Sequence, residues 1–135
     1  MSEENEEAVE RVRRLIDAFN KRDWGAFSAE LDPEVEYTPV EEHTTYHGRE
    51  AFTEYAKRWL EVWETSFSAE AEEIKITPAG DRAFVALRFR GSGKGSGVEI
   101  DDRGFWDGKL RGGRLYRISE YNDRTEALEA AGLRE

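Results

Sequence analysis

The order of the predicted elements places this chain in the α+β class. Three observations predict it: an N-terminal half whose apolar residues recur at helical spacing, a C-terminal half whose apolar residues alternate, and one strand-like stretch set between the helices. At 135 residues the chain has the length of one ordinary domain, long enough to bury roughly two-thirds of its unfolded surface. Nothing in the composition divides it, so a single domain over 1–135 is expected.

The first helix is expected from about Glu3 to Arg22, because Ala8, Val12, Leu15, Ile16 and Phe19 fall on one stripe. Asp23 can cap a short second helix over 24–31, which Asp32-Pro33 ends. Val35 to Val40 reads as a strand, followed by a polar loop to His47. After Gly48 a long helix is expected from Arg49 to about Thr65, with Phe52, Tyr55, Ala56, Trp59, Leu60 and Trp63 on its apolar side. Phe67 to Thr77 alternates imperfectly, and Glu72-Glu73 points to a bulge. Arg82 to Arg90 and Val98 to Leu110 are strands joined by a glycine-rich connection, 91–97. Gly112-Gly113 makes a hairpin turn into the last strand, Leu115 to Asn122, and Asp123 with Glu126 can cap a short tail helix closed by Gly132. An antiparallel sheet of this kind would curl around the helices and leave a pocket.

Composition removes several function classes. The chain carries 20 Lys+Arg against 30 Asp+Glu, a net charge of −10, so neither a nucleic acid nor an anionic membrane is an expected partner. It has no cysteine, hence no disulfide, thiolate nucleophile or Cys-zinc site. The N-terminus is no signal peptide and no apolar run approaches membrane length, so a soluble cytoplasmic protein is expected. His43 and His47 lie four apart without a third ligand nearby, which gives no metal site, and Asp101-Asp102 lacks calcium-loop spacing. The run Gly91-Ser-Gly-Lys-Gly-Ser-Gly97 lacks the spacer of a phosphate loop. No cofactor is implied.

Arg14-Leu-Ile-Asp-Ala-Phe-Asn-Lys-Arg-Asp-Trp24, Leu31-Asp-Pro-Glu-Val-Glu-Tyr37, Tyr46-His-Gly-Arg-Glu-Ala-Phe52 and the ending Glu120-Tyr-Asn-Asp-Arg-Thr-Glu-Ala-Leu-Glu-Ala-Ala-Gly-Leu133 together resemble a SnoaL-like domain. The resemblance implies the cone-shaped nuclear-transport-factor-2-like fold, with three N-terminal helices packed on a curved, mostly antiparallel sheet enclosing a pocket. It does not imply one activity, since that superfamily holds cyclases, isomerases, hydrolases, dehydratases and binding modules. The positions where its ketosteroid isomerases carry their catalytic tyrosine and two aspartates correspond by spacing to Leu15, Tyr37 or Thr38, and Trp106. None matches in chemistry, so that mechanism is not expected here.

Strand parity then nominates site residues. On the strand 98–110 the even positions, Val98 through Leu110, are the apolar set and should line the cone. On the last strand the matching set is Tyr116, Ile118, Glu120 and Asn122, which puts Glu120 beside Trp106. A carboxylate among apolar side chains is a raised-pKa base toward a carbon-bound proton, which makes Glu120 the first catalytic candidate; the alternative is a structural pairing with Arg14 or Arg117. Asp102 is second, with a structural bond to Asn122 or Tyr37 as its alternative. Asp107 is third, and only if a bulge allowed by Gly104 and Gly108 turns it inward. Trp106 between those glycines suggests room for a flat ligand to stack, or simply fills the cone. Tyr37, His43, Trp59, Trp63, Ile118, Asn122 and Phe19 complete the expected substrate contacts.

The chemistry this predicts is proton abstraction from carbon on an apolar, flat substrate, of which ring opening of a benzisoxazole is a model case; the Gly104/Trp106/Gly108 cluster would also fit a rebuilt, engineered pocket. A non-catalytic ligand-binding or dimerisation module, a polyketide-cyclase-like enzyme and a hydrolase are the alternatives. Phe84, Ala86, Phe105, Leu115 and Tyr121 form an outward apolar patch on which a homodimer could form.

Overall fold

The computed structural model describes residues 2–40, 42 and 44–133. The chain runs α1 (Glu3–Lys21), α2 (Trp24–Ala29), β1 (Leu31–Thr38), β2 (Tyr46–His47), α3 (Arg49–Leu60), β3 (Ser68–Ile76), β4 (Arg82–Ser92), β5 (Glu99–Arg111), β6 (Arg114–Tyr121) and α4 (Arg124–Ala130). One curved six-stranded sheet has the order β2-β1-β6-β5-β4-β3, in which β1 and β6 run parallel and all other neighbours antiparallel. This is the α+β architecture expected, with α1, α2 and α3 against one face of the sheet.

Local chemistry sets the ends of α1. The Ser2 hydroxyl accepts from the Asn5 amide, Glu3, Glu4 and Glu6 sit where the helix dipole favours negative charge, and Arg22 closes the helix in a left-handed conformation at φ 57°. Its predicted stripe is buried. Asn20, just before that end, ties α1 to the sheet: its amide donates to the Ala69 carbonyl and accepts from the Ala69 N–H, both at 2.8 Å.

Several boundaries differ from the sequence reading, and β1 ends at Thr38, not Val40. Leu31 belongs to β1, not to α2, because Asp32-Pro33 lies where the β1 register is interrupted between Leu31 and Glu36; a proline without an N–H fits only such a gap. The helix α3 stops at Leu60 rather than near Thr65. Beyond it Trp63 bridges to Gly93 and the Glu64 N–H donates to the Ser92 carbonyl, so the chain leaves the helix to pair with the end of β4. Gly91 is not linker but strand: a Cβ there would fall 2.9 Å from the Phe67 backbone. The two-residue β2 carried no signal of its own.

The bulge expected at Glu72-Glu73 is present, between Ala71 and Glu73. A second irregularity, between Lys109 and Leu110, pairs Leu110 with Leu115 and leaves Tyr116 outside the ladder. Leu115 therefore turns inward into the main core, and Tyr116 turns outward beneath the Arg111 guanidinium at 4.5 Å. The outward apolar patch is also corrected. Phe84, Ala86 and Phe105 form a second small core with Ala127, Leu128 and Ala131, so α4 covers that face, with Tyr121 packed at its edge.

Candidate functional site

Inside the cone two spaces meet. An inner chamber of about 90 Å³ is walled by Ile16 and Phe19 of α1, Phe27, Tyr37, Phe52, Tyr55, Ala56, Trp59, Ala69, Leu87, Phe89, Trp106 and Glu120. An outer vestibule of about 430 Å³ is walled by Pro39, Val40, Glu42, Tyr46, Tyr55, Arg58, Trp59, Phe89, Asp102, Arg103, Gly104, Glu120 and Asn122. Tyr55, Trp59, Phe89 and Glu120 line both spaces and so stand at the neck between them.

Glu120 is the carboxylate of the inner chamber. It reaches that place because the β5–β6 register shifts by one residue between Lys109 and Leu110, passing over Tyr116; the Gly112-Gly113 turn alone, with φ of 58° and 77°, would set Trp106 opposite Ser119, and the shift sets it opposite Glu120. Its Oε2 accepts from the Trp106 indole N–H at 3.2 Å and from the Tyr37 hydroxyl at 3.3 Å. Neither arginine considered as a structural partner is turned to it by these contacts: Arg14 is bonded to Glu7 and Glu30, and Arg117 to Glu36. Tyr37 is inward because β1 alternates, with Val35 and Tyr37 buried and Glu34 and Glu36 outside. Its ring stacks on Phe52 at 4.3 Å. Burial, and after it the charge of Glu120, pushes the Tyr37 phenol well above its ordinary value of 10, so it remains a neutral donor.

Trp106 is buried to 6% exposure and presents its indole edge to the carboxylate, with Tyr37 edge-on at 6.4 Å. The glycines beside it make room for the protein's own atoms. A Cβ on Gly104 would sit 3.1 Å from Phe89 and 3.6 Å from Glu120 Oε2, and one on Gly108 would sit 2.5 Å from a Leu115 methyl. The stacking slot expected from the two glycines is thus occupied.

Phe19 lines the inner chamber, Trp59 both spaces, and Asn122 the vestibule. Asp102 faces the vestibule rather than the depth of the cone, and its Oδ1 accepts from the Arg103 N–H. Asp107 stays on the outer face, bonded to Arg82 at 3.2 Å; the strand is regular there, so no bulge turns it inward. Ile118 is fully buried packing between β1 and β5 and lines neither space. Trp63 also lines neither: it stacks on Phe67 at 5.2 Å. His43 lies outside the described residues.

Sequence reasoning missed Arg58, Tyr46 and Glu42 at the vestibule. The Tyr46 hydroxyl donates to Glu42 at 2.6 Å, and the Arg58 guanidinium lies 5.8 Å from the Tyr46 ring centroid. Arg58 follows Tyr55 by three positions and was visible as a polar neighbour of the Tyr55/Trp59 stripe. Among the described residues no group of three or more His, Asp or Glu side chains is placed to hold a metal ion, and no described helix is long and apolar enough to cross a membrane.

The fold has many solved counterparts. A SnoaL-like protein of Jannaschia sp. CCS1 is similar over 100% of this chain and 98% of its own, at 19% identity and TM-score 0.79. A protein of Catenulispora acidiphila with a ketosteroid isomerase-like fold, crystallised with trimethylamine, covers 93% and 94% at 18% identity and TM-score 0.73. RV0760c of Mycobacterium tuberculosis, crystallised with estradiol-17beta-hemisuccinate, covers 87% and 94% at 14% identity and TM-score 0.72. Identities this low carry the fold and no activity. No curated protein matches the sequence. The model of the SnoaL-like domain matches residues 12–118, and with the cone and its enclosed chambers in place, the chain belongs to the SnoaL-like domain family.

Proposed function

We propose that the chain is an enzyme for a small apolar, flat substrate, in which the Glu120 carboxylate removes a proton from carbon. One observation carries this reading: a carboxylate at the neck of a ring-lined chamber, held on one oxygen by two neutral donors, Tyr37 and Trp106. Both donors are neutral and orient one carboxylate oxygen, and the rings of the inner chamber desolvate the side of the carboxylate that faces it. Asn122 in the vestibule supplies an amide N–H for the charge that develops on the substrate. Bases positioned in this way contribute on the order of 10²–10⁴ in rate. The ligands seen in structurally similar proteins, from trimethylamine to a steroid ester, differ too widely to name a substrate.

The test is ring opening of a nitrobenzisoxazole. Its C–H proton passes to the carboxylate, the C=N bond becomes a nitrile, and the N–O bond breaks to release a phenolate. We expect the parent to exceed buffer catalysis and Glu120→Gln to lose on the order of 10²-fold or more. An unchanged rate in Glu120→Gln, or a parent no faster than buffer, overturns the reading. The latter result would favour a non-catalytic binding or dimerisation module whose cone is largely filled by its own side chains, in line with an inner chamber of about 90 Å³ where ligand pockets are usually roughly 300 Å³ or more.

A further inference from the structure

The two chambers differ in chemistry, and the difference specifies a ligand. Apart from the Glu120–Tyr37–Trp106 cluster at its neck, the inner one is walled by carbon; the vestibule and the groove that continues past β6 carry more carboxylates than guanidinium groups. In the vestibule Glu42, Asp102 and Glu120 face two guanidinium groups, and one of these, Arg103, is held by Glu72 at 2.8 Å. The other, Arg58, lies against the Tyr46 ring. The adjoining groove is lined by Glu42, Glu120, Asp123 and Glu126, with no lysine or arginine among its described lining residues. The rings of Tyr55 and Trp59 border the same vestibule, and aromatic rings attract cations; the Tyr46 ring is already engaged by Arg58. The net charge of −10 adds a long-range field of the same sign.

From this shape and charge we infer that the site takes an amphipathic organic cation, with a compact apolar end in the inner chamber and an ammonium-type end in the vestibule between Glu42, Asp102 and the Tyr55 and Trp59 rings. The neck at Glu120 then lies against the carbons that join the two ends. An inner chamber of about 90 Å³ limits the apolar end, because an engineered cavity that takes benzene is roughly 150 Å³. The assignment concerns what the two chambers bind, not the proton-abstraction step, and it is tested by binding alone, so either can fail without the other.

Hexylammonium, hexanoate and hexanol share one tail and differ in the head. Binding of each is followed by calorimetry and by quenching of tryptophan fluorescence, Trp59 and Trp106 both being in the walls. We expect hexylammonium to bind about tenfold more tightly than hexanoate, with hexanol between them. The Glu42→Gln/Asp102→Asn double variant should erase most of that preference while leaving hexanol binding within about twofold. Ala69→Leu, which fills the inner chamber, should weaken hexylammonium more than propylammonium; a thermal melt separates this from misfolding. Hexanoate or hexanol binding as tightly as hexylammonium, no binding by any of the three, or a head preference that survives the double variant overturns the assignment.

Discussion

Gly108→Ala separates two accounts of the glycines beside Trp106. The backbone at Gly108 is not left-handed, so alanine there carries no conformational penalty. If the position faced open space kept for a ligand, the substitution would stabilise the fold by roughly 0.4–1 kcal/mol through the unfolded chain. In the structure the new Cβ meets a Leu115 methyl at 2.5 Å, with the Ala83 Cβ and carbonyl oxygen at 3.7 Å. Leu115 is only 3% exposed and has no solvent to move into. Overpacking of this kind costs about 1–3 kcal/mol, which exceeds the backbone gain and leaves a net loss of about 1 kcal/mol. With about 2.1 cal/mol/K of unfolding entropy per residue, 135 residues convert that loss into a fall in Tm of roughly 3–4 °C. The assay is thermal and urea unfolding of Gly108→Ala, Leu115→Ala and the double variant. Leu115→Ala alone should cost about 2–5 kcal/mol, and the pair should be milder than the sum by about 1 kcal/mol, because the added methyl fills space the leucine vacates. A rise in Tm for Gly108→Ala, or strict additivity of the pair, refutes the reasoning.

Two further outcomes follow from the charges. Because Glu120 disfavours a second negative charge beside it, Glu120→Gln should lower the titration midpoint of Tyr37; burial, the larger cause, should still hold it above 10. Ultraviolet titration of tyrosinate reads this, and an unmoved midpoint would break the Tyr37–Glu120 assignment. At the other end of the sheet the Arg111 guanidinium, with its hydrogen bonds to Asp32 at 3.1 and 3.2 Å, holds the Asp32 carboxyl below its ordinary value. The folded value is the lower one, so this pair stabilises the fold above the unfolded carboxylate pKa of about 3.9 and is lost as pH falls through the folded value. Arg111 is 54% exposed, so Asp32→Asn should cost only about 0.5–1 kcal/mol at neutral pH and flatten the acid side of a Tm–pH curve, which a parallel shift at every pH would contradict.

How far the fold and site could be read beforehand depended on whether the deciding contact was local. The β5–β6 hairpin turns on two glycines, so the turn was legible, and parity put Glu120 beside Trp106; the one-residue shift between Lys109 and Leu110 that this pairing needs carried no signal. That parity failed three residues from the turn, because Leu115 and Tyr116 are both apolar and either could have faced inward; the space left by Gly108 admits Leu115. Asp107 was settled by Arg82, 25 positions away, and Tyr37 meets Glu120 across 83 positions, separations that carry no periodic signal. The covering of the outer face depended on Ala127, Leu128 and Ala131, a stretch too short to state which surface it would meet.

The vacancy itself was the least legible feature. The stripe of Phe52, Tyr55, Ala56 and Trp59 correctly gave the inward face of α3. Helical periodicity reports which side chains leave water, not whether they then touch the sheet or stop short of it. Here they do both: Tyr37 stacks on Phe52, while Tyr55 and Trp59 border the two chambers. Glycine beside a tryptophan suggested emptiness and proved to be filled, whereas large aromatic side chains suggested filling and border the space. In this cone Trp59 meets Phe89 edge-on at 5.6 Å, and the carboxylate is reachable because Glu120 lies where the inner chamber opens onto the vestibule, rather than through any missing side chain.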